Sequence, residues 1–176
     1  MTPLQYCHVD QSYAGAAVAM RGALTSENST EADTAELERL LQQRWAIINV
    51  WRPLKQVHRD PLAVCDSRTV SDDDLRAVKM LPPSASDRAK LGATFKVSAS
   101  AVSENWNVAY SPKHEWWYAS EMTPSEVLVF KNYDSRDDGS VARRVPHSAF
   151  EFFGQDDSAN PRESVELRAF VAWDEK

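Results

Sequence analysis

A mainly β fold with flanking helices is what this chain predicts, on three observations. Stretches 46–57, 127–130 and 162–168 alternate or run apolar, with the β-branched and aromatic residues that suit strands. Only 28–44 repeats its apolar residues at clear helical spacing. With 176 residues, 43% hydrophobic and 26% charged, the chain suffices for one domain with a sizeable core.

Near the start, Cys7-His8-Val9-Asp10 is followed by SYAGAA, whose small residues permit close approach of backbone. On a strand, alternation places His8 and Asp10 on one face, as two ligands of one metal must be. A polar strand end is the plainer alternative. Residues 28–44, NSTEADTAELERLLQQR, begin with capping and acidic residues and continue with Leu37, Leu40 and Leu41, predicting a surface helix.

AIINVWRPLKQV, 46–57, predicts a strand whose continuation Pro53 restricts to an edge or an end. Asn49 and Trp51 share a face there, and Arg52 lies on the other. Buried asparagine and arginine need partners, either a neighbouring carboxylate or a bound carboxylate ligand. Within 59–78 a short apolar strand is expected first, and Ser71 with Asp72, Asp73 and Asp74 then reads as the start of a helix, since acidic groups there complement its dipole.

Residues 81–102 form a Pro-, Ser- and Ala-rich connection with a strand expected near 93–97. Trp106, Trp116, Trp117 and Tyr118 line either a core or a pocket, and His114 is the polar residue among them that could reach a substrate. Residues 141–146 are expected to form a strand leading into His147. Beyond it, alternation sets Arg162, Ser164, Glu166 and Arg168 on one face, which is either a polar cavity or the solvent side of an antiparallel sheet.

His8, Asp10 and His147 together supply two imidazoles and one carboxylate, the donor set that leaves three positions of a non-haem iron free for a bidentate cosubstrate and dioxygen. Composition narrows the rest. A net charge of −6 without a basic run argues against nucleic acid. No apolar run predicts a membrane span and the first residues do not read as a signal peptide, so a cytoplasmic protein is expected. Two cysteines without metal-site spacing predict reduced thiols.

INVWRPL, DPLAVCD, HEWWY, MTPSEVLVFKNYDS, PHSAF and PRESVELR, in that order, resemble the hydroxylase and desaturase family that includes gibberellin desaturase-like proteins and the cephamycin methoxylation component. The resemblance covers about residues 5–170 and implies a double-stranded β-helix, the cupin-like jelly roll, with Fe(II) and 2-oxoglutarate chemistry. It implies His8, Asp10 and His147 as iron ligands and Arg162 with Ser164 as a clamp for the cosubstrate carboxylate. Only seven residues precede His8, so a barrel lacking an N-terminal part, with an exposed edge prone to self-association, is expected.

The activity this implies is hydroxylation or desaturation of a small organic metabolite. With Trp51, Trp116 and Trp117 beside the pocket, that metabolite is expected to be apolar. A non-catalytic barrel that binds a ligand or partner protein is the alternative from another class. A metal-dependent hydrolase would leave Arg162 and Ser164 without a role.

Overall fold

The computed structural model describes residues 3–26, 28–80, 103–155 and 158–174. Its strands are β1 (His8–Val9), β2 (Arg44–Pro53), β3 (Leu62–Cys65), β4 (Leu75–Met80), β5 (Ser103–Val108), β6 (Trp116–Tyr118), β7 (Leu128–Asp134), β8 (His147–Ala149) and β9 (Ser164–Trp173). Two helices, α1 (Tyr13–Leu24) and α2 (Glu31–Gln42), fall between β1 and β2. The strands form two antiparallel sheets, one ordered β4-β5-β1-β8-β3-β6 and the other β7-β2-β9. Mainly β with flanking helices is therefore the architecture, in the double-stranded β-helix arrangement expected.

The sheets meet through their inner faces. Trp51 of β2 and Phe130 of β7 pack with Leu62 of β3, Val57 and Met122. At the other end of β2, Trp45 and Ile47 join Tyr133, Ala16 and Met20 of α1, and Leu37 of α2. Burying such side chains contributes about 1.5–3 kcal/mol each relative to exposure.

Both helices begin on side-chain caps. Ser12 accepts from the Gly15 amide, and Thr30 forms a reciprocal capping box with Asp33. At Gly15 the helix presses on β5 so closely that a Cβ would overlap the Glu104 carbonyl. The close approach expected of the small residues after Asp10 is thus real, but the segment carrying it is a helix, which was not anticipated.

Three other expectations change. Ser71 caps a single 3-10 turn over Asp72–Asp74, and the chain then enters β4 instead of a longer helix. The same capping box starts either kind of turn, and the residues after it, LRAVKM, pair along β5. Residues 141–146 are not a strand, and the pairing begins only at His147. The last strand starts at Ser164, so Arg162 stands in the connection before it. The strand expected near 93–97 lies outside the described residues.

Candidate metal centre

β1 is only two residues long, yet it holds the centre of the six-stranded sheet. His8 pairs with Asn107 of β5 on one side and with His147 of β8 on the other. Directly opposed residues of an antiparallel pair project on the same face, so the two imidazoles stand side by side, with ring centroids 4.5 Å apart. Asp10 follows His8 by two and shares that face. Its Oδ1 lies 3.4 Å from His8 Nε2 and 3.7 Å from His147 Nε2.

The ring orientations are set from behind. Nδ1 of His8 lies 2.8 Å from the Tyr6 carbonyl oxygen, and Nδ1 of His147 lies 3.1 Å from that of Val145. A carbonyl can only accept, so each Nδ1 carries a proton, and each Nε2 faces Asp10, where it donates when protonated and presents a lone pair to the centre when not. The three donor atoms fall within 4.8 Å of one another. Two such imidazoles, a carboxylate and outer hydrogen bonds that fix them are what a mononuclear Fe(II) site requires, so the residues present fit the metal.

Electrostatics agree with that fit. Burial alone would raise the Asp10 pKa, but hydrogen bonds from His147 and His8, with the Arg168 charge, hold it well below the carboxylate range. Burial likewise disfavours the His8 imidazolium, but Asp10 and the Tyr6 carbonyl outweigh it and raise the pKa above the ordinary imidazole value.

The centre opens into a cavity of about 510 Å³ whose walls include Trp51, Leu62, Arg162, Ser164, Glu166 and Arg168. The polar face of β9 lines this cavity, with Glu166 and Arg168 also reaching solvent. Arg162 stacks its guanidinium 5.0 Å from the Trp51 ring and donates through Nη1 to the Asp60 carbonyl at 2.8 Å. Its Nε is buried and has no hydrogen-bond partner among the described residues, and burial depresses its pKa. A ligand carboxylate would satisfy that donor. A larger cleft of about 870 Å³, lined in part by Cys65, Arg143 and Arg144, contains none of the three metal donors.

The other residues singled out by sequence lie elsewhere or act differently. Asn49 is fully buried, but its Nδ2 donates to Asp10 Oδ2 at 2.9 Å, so it supports a ligand and does not line the cavity. Its partner is thus the neighbouring carboxylate. Arg52 is exposed and, by alternation from Trp51, points away from the centre. His114 is buried against Asp74, with Nε2 and Oδ2 3.0 Å apart, and does not line the cavity. Trp116 and Trp117 sit on β6, the edge strand, 39% and 64% exposed, and likewise stand outside it.

Two contributors went unassigned. Asn132 donates to Asp10 Oδ2 at 3.0 Å and accepts from the Asp10 amide at 3.0 Å. Arg168, noted only as part of a polar face, ion-pairs with Asp10 Oδ2 at 3.0 Å. The signal for Asn132 was an asparagine in the apolar run LVFKNYD, the same anomaly that drew notice to Asn49 in INVW.

Residues 1–172 match the family described as oxidoreductase/YMDC permease-like domain. The chain is 41% identical over 174 residues to hydroxylase/desaturase efuI of Hormonema carpetanum, covering 99% of this chain and 53% of that one. It is 44% identical over 141 residues to hydroxylase/desaturase asaB of Aspergillus flavus, covering 80% of this chain and 61% of that one. Among solved structures, iron and alpha-ketoglutarate-dependent endoperoxidase NvfI superposes with a TM-score of 0.75 at 30% identity, over 97% of this chain and 53% of that chain. The chain thus spans about half the length of efuI and of NvfI.

Proposed function

This chain belongs to the oxidoreductase/YMDC permease-like domain family, and on that premise we propose that it is an oxidoreductase using Fe(II), 2-oxoglutarate and dioxygen to hydroxylate or desaturate a small organic metabolite. The observation that carries the reading is the convergence of His8 Nε2, Asp10 Oδ1 and His147 Nε2 on one point, with a cavity opening beside them. Relatives named hydroxylase/desaturase and dioxygenase support the same chemistry. A ligand-binding barrel without chemistry leaves the convergence of three ligand-type donors unexplained.

Bound iron would supply the redox chemistry, with dioxygen as the oxidant and the keto acid as a two-electron co-reductant. The chain's own residues hold and orient. His8, Asp10 and His147 would ligate the metal. Arg162, with its orphaned Nε, and Ser164 would take the far carboxylate of 2-oxoglutarate on the cavity wall. Trp51, Leu4, Leu54 and Leu62 give the same cavity an apolar side, suited to an apolar metabolite and to excluding water. No described helix is long and apolar enough to cross a membrane, in keeping with a cytoplasmic setting for such a reaction. Exposed Val129, Val165 and Leu167 on the three-stranded sheet favour self-association.

Anaerobic titration with Fe(II) and 2-oxoglutarate tests the reading. The expected result is the visible charge-transfer band of the ternary chelate. Iron uptake without that band would reject the cosubstrate, and no iron uptake would reject the metal centre.

A further inference from the structure

We propose that Asn132, placed by an irregularity in β7, is a positioning residue that confines Asp10 to ligating its metal through Oδ1 alone. The inference rests on the reading of His8, Asp10 and His147 as iron ligands and adds a division of labour between the two oxygens of one carboxylate.

Asp10 lies just past the end of β1, where strand pairing no longer holds the chain. Asn132 takes over. Its Oδ1 accepts the Asp10 amide and its Nδ2 donates to Asp10 Oδ2, both at 3.0 Å, so one side chain fixes the backbone and the carboxylate together. Asn49 Nδ2 at 2.9 Å and Arg168 Nη2 at 3.0 Å complete the set on Oδ2. A carboxylate oxygen has two lone-pair sites, and three donors saturate it. Oδ1 is the oxygen turned to the two imidazoles.

The consequence is one of coordination number. Chelation by both oxygens would have to strip Oδ2 of its donors, each lost in a buried setting at a cost. Ligation through Oδ1 alone keeps three positions open on an octahedral metal, and a keto acid plus dioxygen needs all three.

The backbone is shaped for this purpose. Along β2 and β7, Ile47 pairs with Tyr133 but Ile48 pairs with Lys131, so Asn132 is the extra residue of a β-bulge. Strict alternation would turn either Asn132 or Tyr133 outward. Through the bulge both are buried, Tyr133 in the helix-facing core and Asn132 at 1% exposure against Asp10. The amide serves both contacts, whereas aspartate would oppose a carboxylate and leucine would offer neither bond.

Cobalt(II) serves as the probe, read by its affinity and its visible spectrum, in the full chain and in Asn132→Leu, Asn132→Asp and Arg168→Gln. Loss of an outer hydrogen bond to a ligand typically weakens metal binding about 10- to 100-fold, and this is expected for both Asn132 variants. Asn49 and Arg168 still hold Oδ2 in Asn132→Leu, so the double variant Asn132→Leu/Arg168→Gln is the one in which Oδ2 is freed to displace another metal ligand, and its visible spectrum should change. Arg168 is 44% exposed, so Arg168→Gln should keep its fold and lose only about 2- to 10-fold in affinity.

Melting of the metal-free proteins identifies which variants fold. Wild-type affinity in a folded Asn132 variant, or in Arg168→Gln should neither Asn132 variant fold, would overturn the proposal. Weaker binding by the double variant with an unchanged spectrum would overturn the single-oxygen claim. A wild-type chain that takes up neither Co(II) nor Fe(II) would instead reject the metal centre itself.

Discussion

His8 and His147 are direct cross-strand partners at the middle of the six-stranded sheet, and their rings lie 4.5 Å apart although the chain between them builds most of the fold. Sheet register, not a flexible loop, therefore sets the spacing of the two imidazoles. The site should be preformed before metal arrives.

Replacing either histidine should therefore remove metal binding and spare the fold. His147→Ala is expected to lower Fe(II) affinity by at least about 100-fold, beyond what outer hydrogen bonds cost. Affinity should also fall with decreasing pH from above the ordinary imidazole range, because His8 holds its proton more tightly than a free imidazole and must lose it to bind. Calorimetric titration of Fe(II) at several pH values checks both. A pH-independent affinity would mean that His8 is not a ligand.

Arg162→Ala should weaken 2-oxoglutarate binding by about one to two decades, the usual worth of a charge-assisted hydrogen bond, with Fe(II) affinity nearly intact. Arg162 also braces the Asp60 carbonyl and the Trp51 ring, so Arg162→Lys is the companion variant. Lysine restores charge without the planar fork and should recover only part of the affinity. Equal losses of iron and cosubstrate would show that Arg162 holds up the site wall and does not grip the ligand.

Gly15→Ala should destabilise the fold by about 1–3 kcal/mol, the range for overpacking, because the new methyl group collides with the Glu104 carbonyl. Relief requires α1 to lift from β5, which would also disturb the Ser12 amide bonded to that carbonyl at 2.7 Å. Chemical denaturation reads the change directly. Gly22, with open space around it, is the control and should tolerate alanine.

Asp134 predicts a defined acid limb. It is fully buried, which alone would raise its pKa, but Arg44 at 2.9 Å and Lys131 at 2.7 Å hold it at about 2, below an ordinary 3.8. A depressed carboxyl pKa stabilises the fold fully above the ordinary value, and that contribution is lost as pH falls through the folded one. It amounts to roughly 2 kcal/mol, disappearing between about pH 4 and pH 2. Urea unfolding of wild type and Asp134→Asn should differ most at pH 5–7 and converge toward pH 2. A constant gap would remove Asp134 from the acid response.

What could be foreseen divides along physical lines. The convergence of His8, Asp10 and His147 was legible because ligand chemistry restricts residue type and strand alternation restricts spacing. The long strand β2 was legible from its apolar run, and α2 from its caps. Helix α1 was hidden because its stability comes from packing Ala16 and Met20 into the core, with no polar stripe to mark a face. Arg52, His114, Trp116 and Trp117 were misplaced for a related reason. Residue type shows that a side chain wants a partner, and only the tertiary fold says which one. Asn132 escaped because a bulge suspends the alternation by which strand faces are assigned.

The pairing of Asp10 with Arg168 spans 158 residues of sequence, and the His8–His147 pair nearly as many. Contacts so distant form late, because closing a long loop costs entropy before any contact repays it. His8 and Asp10 meet His147 only when β1 pairs with β8. A chain in which β1 and β8 are unpaired cannot present all three donors together. On the proposed reading, ferrous iron, hazardous when loosely held in the presence of oxygen, would be gripped only by molecules in which that pairing has formed.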